Sequence, residues 1–258
     1  MSIPFLDGDQ RVVAERVVAE VEEQRRHLVI ALSGAHAYGF PSPDSDLDLK
    51  AIHIEATAKL LGLDVPKETF DRLEVIDGVE IDYTSNEIRG VLMGICAGNG
   101  NYIERVLGAL IAHSSSEHEE LREIVGRSLS KRVHRHYRGF AHSQRKHFAE
   151  SEEAVAKKLL YVLRTALTGT HLLRTGELRV DLRTEAHEYG ISEAHSLNES
   201  MLQGVRTVLP ESDRQVWLTR LDLVFSLLDD ALQKSPLPEE TDSAELEDWL
   251  IRLRLANA

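Results

Sequence analysis

The stretch from His27 to His53 constrains this chain more than any other. An apolar run, His-Leu-Val-Ile-Ala-Leu-Ser (27–33), leads into Gly34 and a loop, and then into the alternating segment Asp-Leu-Asp-Leu-Lys-Ala-Ile-His (46–53). The run reads as a buried strand and the alternation as a second strand beside it. Successive strand side chains point to opposite faces, so Asp46 and Asp48 project together while Leu47 and Leu49 turn away. Two carboxylates side by side repel each other unless a cation lies between them. A hard divalent ion with oxygen ligands, Mg²⁺ (or Mn²⁺), answers that need.

The chain has 258 residues, 42% of them apolar, enough for one large domain or two small ones. No apolar run reaches the roughly 18 residues that a membrane span needs, so no membrane association is expected. The opening Met-Ser-Ile-Pro-Phe-Leu-Asp-Gly-Asp lacks the basic and apolar regions of a secretory leader. With Cys96 the single cysteine, a disulfide framework is excluded and a cytoplasmic location is expected. A net charge of −13 argues against broad, sequence-independent nucleic-acid binding. The charge is uneven, however: from Arg127 to His147 there are seven Lys/Arg, four His and no Asp or Glu. This basic island is either an anion site or a solvated helix face paired with the acidic segment Glu150–Glu153.

The reading along the chain gives an amphipathic helix over 8–26, strands over 27–33 and 46–53, and a short helix near 56–61. A hairpin turns at Asp77-Gly78 between alternating segments (72–76 and 79–84), and a helix runs from Ser85 to Cys96. From about residue 101 helical periodicity dominates, in segments 101–110, 116–127, 130–150, 152–175, 194–208, 211–234 and 243–255. The fold class expected is α+β: a small mixed-sheet domain over 1–112 followed by an all-helical domain over 113–258, with Ala-His-Ser-Ser-Ser (112–116) as the linker.

A metal site needs a third acidic group from a neighbouring strand. Asp82, on the second arm of the hairpin, fits, with Glu80 on the same face as fallback. Gly34 lets backbone approach an anion closely, and free N–H groups at a helix start would face a phosphate. His36 lies in that turn and is either a nucleotide contact or an ordinary loop histidine. On helix 152–175, Lys157, Tyr161, Arg164 and His171 form one polar stripe, with Leu159, Leu163, Ala166, Leu167, Thr170 and Leu173 opposite. That stripe is either a solvated face or a basic surface that neutralises a triphosphate, with Lys157 and Arg164 as its candidates. The histidines of the basic island lack the cysteines and spacing of a zinc site.

The pattern of a Gly turn, Asp-x-Asp on the next strand and one acidic residue on a later strand resembles the DNA polymerase β-like nucleotidyltransferases. More narrowly, Gly34-Ala-His-Ala-Tyr-Gly-Phe-Pro-Ser-Pro-Asp-Ser-Asp-Leu-Asp-Leu resembles the RNA-ligase-associated (RlaP-type) family. So do Gly98-Asn-Gly-Asn-Tyr-Ile-Glu-Arg-Val-Leu, Tyr137-Arg-Gly-Phe-Ala-His-Ser-Gln and Leu172-Leu-Arg-Thr-Gly-Glu-Leu. The resemblance covers residues 28–182. It implies that Asp46 and Asp48 bind catalytic metal, that Asp82 is the third acid and deprotonates the acceptor, and that Gly34 and Ala35 hold the triphosphate of an NTP, ATP first. The implied reaction moves a nucleoside monophosphate to an acceptor hydroxyl and releases pyrophosphate, with an RNA end as first choice of acceptor and a small molecule or protein as alternatives. Superfamily members usually carry Ser after the first Gly, where this chain has Ala35. Ser33 stands on the other side of Gly34. A lost hydrogen bond to a charged group is typically worth about 1.5–3 kcal/mol. That departure motivates the competing reading, a catalytically idle nucleotide- or partner-binding module of regulatory or antitoxin-like kind.

Overall fold

The computed structural model describes the chain except for residues 1, 2, 4, 5, 7, 44, 65, 205 and 258 and the side chain of Met201. Asp44, in the lead-in to the acidic pair, and most of the segment read for a secretory leader lie outside the described residues.

Two compact units are present. The first comprises Met1–Gly34, Asp46–Ser128 and Thr241–Ala258, the second Ala35–Ser45 and Leu129–Glu240. In chain order the elements are α1 (Gly8–Gln24), β1 (His27–Leu32), α2 (Gly34–Tyr38), β2 (Leu47–His53), α3 (Thr57–Leu60), β3 (Thr69–Ile76), β4 (Val79–Glu87), α4 (Ile88–Cys96), α5 (Gly100–Leu107), β5 (Ile111–Ser114) and α6 (His118–Arg127). The second unit takes α2 from Ala35 onward and carries α7 (Val133–Glu150), β6 (Ala154–Val155), α8 (Ala156–Thr175), α9 (Leu182–Glu188), α10 (Ala194–Leu202), β7 (Val208–Leu209) and α11 (Glu211–Lys234). The chain then returns to the first unit for α12 (Ala244–Ala256).

The first unit is built on a five-stranded mixed sheet of order β3-β4-β2-β1-β5. β1 is antiparallel to β2 and β5, β3 is antiparallel to β4, and β2 runs parallel to β4. The β3–β4 hairpin turns through Asp77 (φ 51°) and Gly78 (φ 83°), with Ile76 facing Val79. Positive φ at both turn residues is what the Asp-Gly pair favours, and it matches the twist of the flanking strands. The apolar stripe of α1 (Val13, Val17, Val18, Val21) packs on Leu47, Leu49, Ile81 and Tyr83, the alternate residues of β2 and β4. Burial of this one face fixes the register, because a one-residue slip would turn Leu47 and Leu49 into solvent.

The segment expected as a linker, 112–116, instead begins with the edge strand β5, which pairs with β1. Four residues are too few to announce themselves by alternation. Glu87, expected inside a helix starting at Ser85, ends β4 and accepts a hydrogen bond from the Arg89 N–H at 2.8 Å as the N-cap of α4. Arg254 of α12 pairs with the same carboxylate, tying the C-terminal helix to the sheet unit.

In the second unit, α8 packs against α7, α9 and α11. Nearly every residue from Leu159 to Leu173 is buried. The polar stripe read on this helix is therefore no solvated face: Arg164 and His171 are each only 2% exposed. The spacing placed these side chains together, but partner helices cover that side too. The short strand β6 lies in a stretch read as helical and pairs with β7, which straddles the end of the stretch read as helical over 194–208.

Candidate active site

The parallel pairing of β2 and β4 sets Asp48 directly beside Asp82, with Leu47 beside Ile81 and Leu49 beside Tyr83. The leucines, Ile81 and Tyr83 enter the α1 core, so the two aspartates share the opposite face. Asp46 lies just before β2 and is half-buried. Glu80, the fallback acid, is exposed near the start of β4, facing Val75.

Gly34 is what allows Asp48 its place. Its φ is +61°, and a Cβ there would lie 1.8 Å from Asp48 Oδ2 and 2.7 Å from Cγ. The preceding Ser33 N–H donates to the Asp48 carbonyl at 2.8 Å, which fixes the turn onto β2. Ala35 is buried, and His36 is half-buried on α2. That helix has only five residues, so its dipole adds little to the hold of its first N–H groups on a phosphate.

A residue the sequence reading passed over stands at the centre of the site. Lys50 is the next alternate position after Asp46 and Asp48, and its Nζ lies 2.8 Å from Asp82 Oδ1 and 3.7 Å from Asp48 Oδ1. It also donates to the Asp82 carbonyl at 3.4 Å. The same two-residue alternation that joined the aspartates would have found it. Among the described residues, no group of three or more His, Cys, Asp and Glu is gathered so as to hold a metal ion. The three-acid cage expected from Asp46, Asp48 and Asp82 is thus met as a carboxylate pair with an ammonium between them and Asp46 alongside.

One ammonium does not neutralise this cluster. Burial pushes the Asp48 carboxyl up to about 6, helped by the Asp46 and Asp82 charges, while Lys50 pulls the other way. The upward effects win, so the edge favours additional positive charge. Its donors are all carboxylate oxygens, which suits Mg²⁺ or Mn²⁺ rather than a softer ion.

The helical candidates are placed in the second unit. Lys157 is half-buried at the start of α8. The Arg164 guanidinium stacks 3.4 Å over the Tyr38 ring, and Tyr161 meets Tyr38 and Phe40 edge-on at 6.0 and 5.1 Å. Two turns further, His171 lies 3.2 Å from the Tyr189 hydroxyl and 3.9 Å from Glu185. Glu185 is fully buried, and that burial pushes its carboxyl up to about 8. The basic island is largely paired, though not with Glu150–Glu153. Lys131 meets Glu239 at 2.5 Å, Arg132 meets Glu240 at 2.9 Å, Arg138 meets Asp229 at 3.1 Å and Arg145 meets Asp222 at 2.7 Å.

At the level of family the chain is nucleotidyltransferase-like, of the DNA polymerase beta kind. The model of the RNA repair pathway DNA polymerase beta family (RlaP) matches residues 10–252, and the chain belongs to that family. An uncharacterised protein of Methanocaldococcus jannaschii is 30% identical over 156 residues, which is 60% of this chain and 63% of that protein. The match thus spans less than two thirds of the relative's length. A crystal structure of a nucleotidyltransferase-like protein from Exiguobacterium sibiricum aligns over 93% of this chain and 79% of its own, at 12% identity and a TM-score of 0.33. No helix among the described residues is long and apolar enough to cross a membrane.

Proposed function

We propose that this chain transfers a nucleoside monophosphate from an NTP, ATP first among them, to an acceptor hydroxyl with release of pyrophosphate. The observation that supports this most is the pairing of Asp48 with Asp82 across β2 and β4, at the edge where Gly34 makes room for the Asp48 carboxylate. Asp46 and Asp48 would hold the divalent ion, with Asp82 completing the set. Once bound, Mg²⁺ or Mn²⁺ would lower the pKa of the attacking hydroxyl and offset the triphosphate charge. The Asp82 side chain is 40% exposed, against 19% for Asp48. Asp82 is therefore the carboxylate an acceptor can reach, and it takes the proton as the acceptor oxygen bonds to the α-phosphorus and the bond to pyrophosphate breaks. Ser33, Gly34, Ala35 and His36 would line the triphosphate. The stacking of Arg164 on Tyr38 fits a part in shaping the segment that follows the turn.

The acceptor proposed first is an RNA end, on the strength of the family's RNA-repair description, and the cytoplasm is the proposed location. The pairing of the basic island leaves it a weak foothold for RNA, so recognition would fall to the residues around the carboxylate edge. The test is incubation with α-labelled NTPs, Mg²⁺ or Mn²⁺, and RNA bearing free hydroxyl ends. Label transfer and pyrophosphate release that vanish in Asp48→Asn and Asp82→Asn are expected. Transfer that survives both substitutions refutes the assignment. Ala35, without a hydroxyl for the phosphate, favours the second reading, an idle nucleotide- or partner-binding module. Nucleotide binding with no pyrophosphate release under any acceptor would select it.

A further inference from the structure

The geometry points to Lys50 as a built-in counter-ion: we propose that it holds the Asp48–Asp82 pair in place of a divalent ion, so that metal enters this site together with nucleotide and not alone. The inference rests on the nucleotidyltransferase reading and adds to it the order in which the site fills.

Lys50 sits on β2, the middle strand of the sheet, between Ala31 on β1 and Thr84 on β4. Its side chain is only 17% exposed. A lysine so placed is disfavoured unless its charge is used. Here the ammonium lies 2.8 Å from an Asp82 oxygen and 3.7 Å from one of Asp48 and also donates to the Asp82 carbonyl, so its charge is held between the two aspartates. A divalent ion bound to both aspartates would share their oxygens with this ammonium or displace it. Either way it meets a like charge or loses an existing ion pair, so the bare ion binds weakly. A triphosphate changes the balance, because it brings oxygen ligands for the metal and negative charge to which a flexible lysine can turn.

The test measures Mn²⁺ retained with the full chain on ultrafiltration, where the free ion and the Mn²⁺–nucleotide complex pass the membrane, without nucleotide and with α,β-methylene-ATP. Lys50→Met should bind Mn²⁺ alone about tenfold or more tighter than the unsubstituted protein. The enhancement of Mn²⁺ binding by the analogue should shrink by the same factor, as linkage requires. Lys50→Arg, which keeps the charge, should behave as the unsubstituted protein, and Lys50→Gln repeats the measurement should the methionine variant fail to fold. Unchanged affinity for Mn²⁺ alone in Lys50→Met and Lys50→Gln, with nucleotide-dependent uptake intact, overturns the role of Lys50 and leaves the proposed function standing. If no protein takes up Mn²⁺ even with the analogue, the nucleotidyltransferase reading falls, and this inference with it.

Discussion

Replacing Gly34 by alanine separates two reasons for a glycine at the turn. The first is conformational: at φ +61° an L-residue with a side chain is disfavoured by roughly 1–2 kcal/mol. The second is steric: the new Cβ would lie 1.8 Å from Asp48 Oδ2 and 3.1 Å from Asp48 Cβ, so the carboxylate must leave its place or β2 must shift. Overpacking of this kind typically adds about 1–3 kcal/mol. Gly78 provides the control, since it has φ +83° and nothing within 4 Å of its hypothetical Cβ. Gly78→Ala should therefore show the conformational part alone, about 1–2 kcal/mol, and Gly34→Ala a total of about 2–5 kcal/mol. Urea denaturation followed by circular dichroism reads both. Because the clash falls on Asp48, Gly34→Ala should also abolish nucleotidyl transfer, whereas Gly78→Ala leaves it intact. Equal destabilisation of the two variants, or full transfer activity in Gly34→Ala, would refute the claim that this glycine exists to admit Asp48.

Three further expectations follow from the same contacts. Asp82→Asn should lower turnover by about 10²–10⁴-fold, well beyond its effect on nucleotide affinity, because the group that takes the acceptor's proton is lost; single-turnover kinetics and a fluorescent nucleotide measure the two effects. Arg164→Ala should cost about 2 kcal/mol or more in urea denaturation, since it removes a buried cation stacked on Tyr38, and Arg164→Lys should recover only part of it. Burial raises Glu185 from 4.5 to about 8 in the folded chain, so the native state binds the extra proton between those values. The Glu185 contribution to stability should thus be fullest below about pH 4.5 and be lost as pH rises through 8, and Glu185→Gln should remove that part of the slope in pH-dependent melts.

Where alternation or turn chemistry was strong, the sequence alone was enough. Strands β1 and β2 and the Asp77-Gly78 turn stand where the pattern placed them, give or take a residue, while each arm of the hairpin runs three residues further than read. Asp48 and Asp82 come together on one sheet face as two-residue periodicity implied. The parallel pairing of β2 with β4 could not be read locally, because it depends on contacts between residues more than thirty positions apart. The edge strand β5 was too short to show alternation. The face of α8 carrying Arg164 and His171 looked like a surface because polar residues usually mark one, whereas here burial is accommodated by stacking on Tyr38 and by the Tyr189 hydroxyl. Lys50 was legible by the same rule that found the aspartates, but a lone cation beside acids draws the eye less than the acids themselves.

Anomalous diffraction from crystals grown with Mn²⁺ and α,β-methylene-ATP tests the central claim most directly. The account predicts a manganese peak about 2 Å from carboxylate oxygens of both Asp46 and Asp48, with the triphosphate beside Gly34. Nucleotide and manganese bound away from these two aspartates, with Lys50 still bridging Asp48 and Asp82, would contradict it.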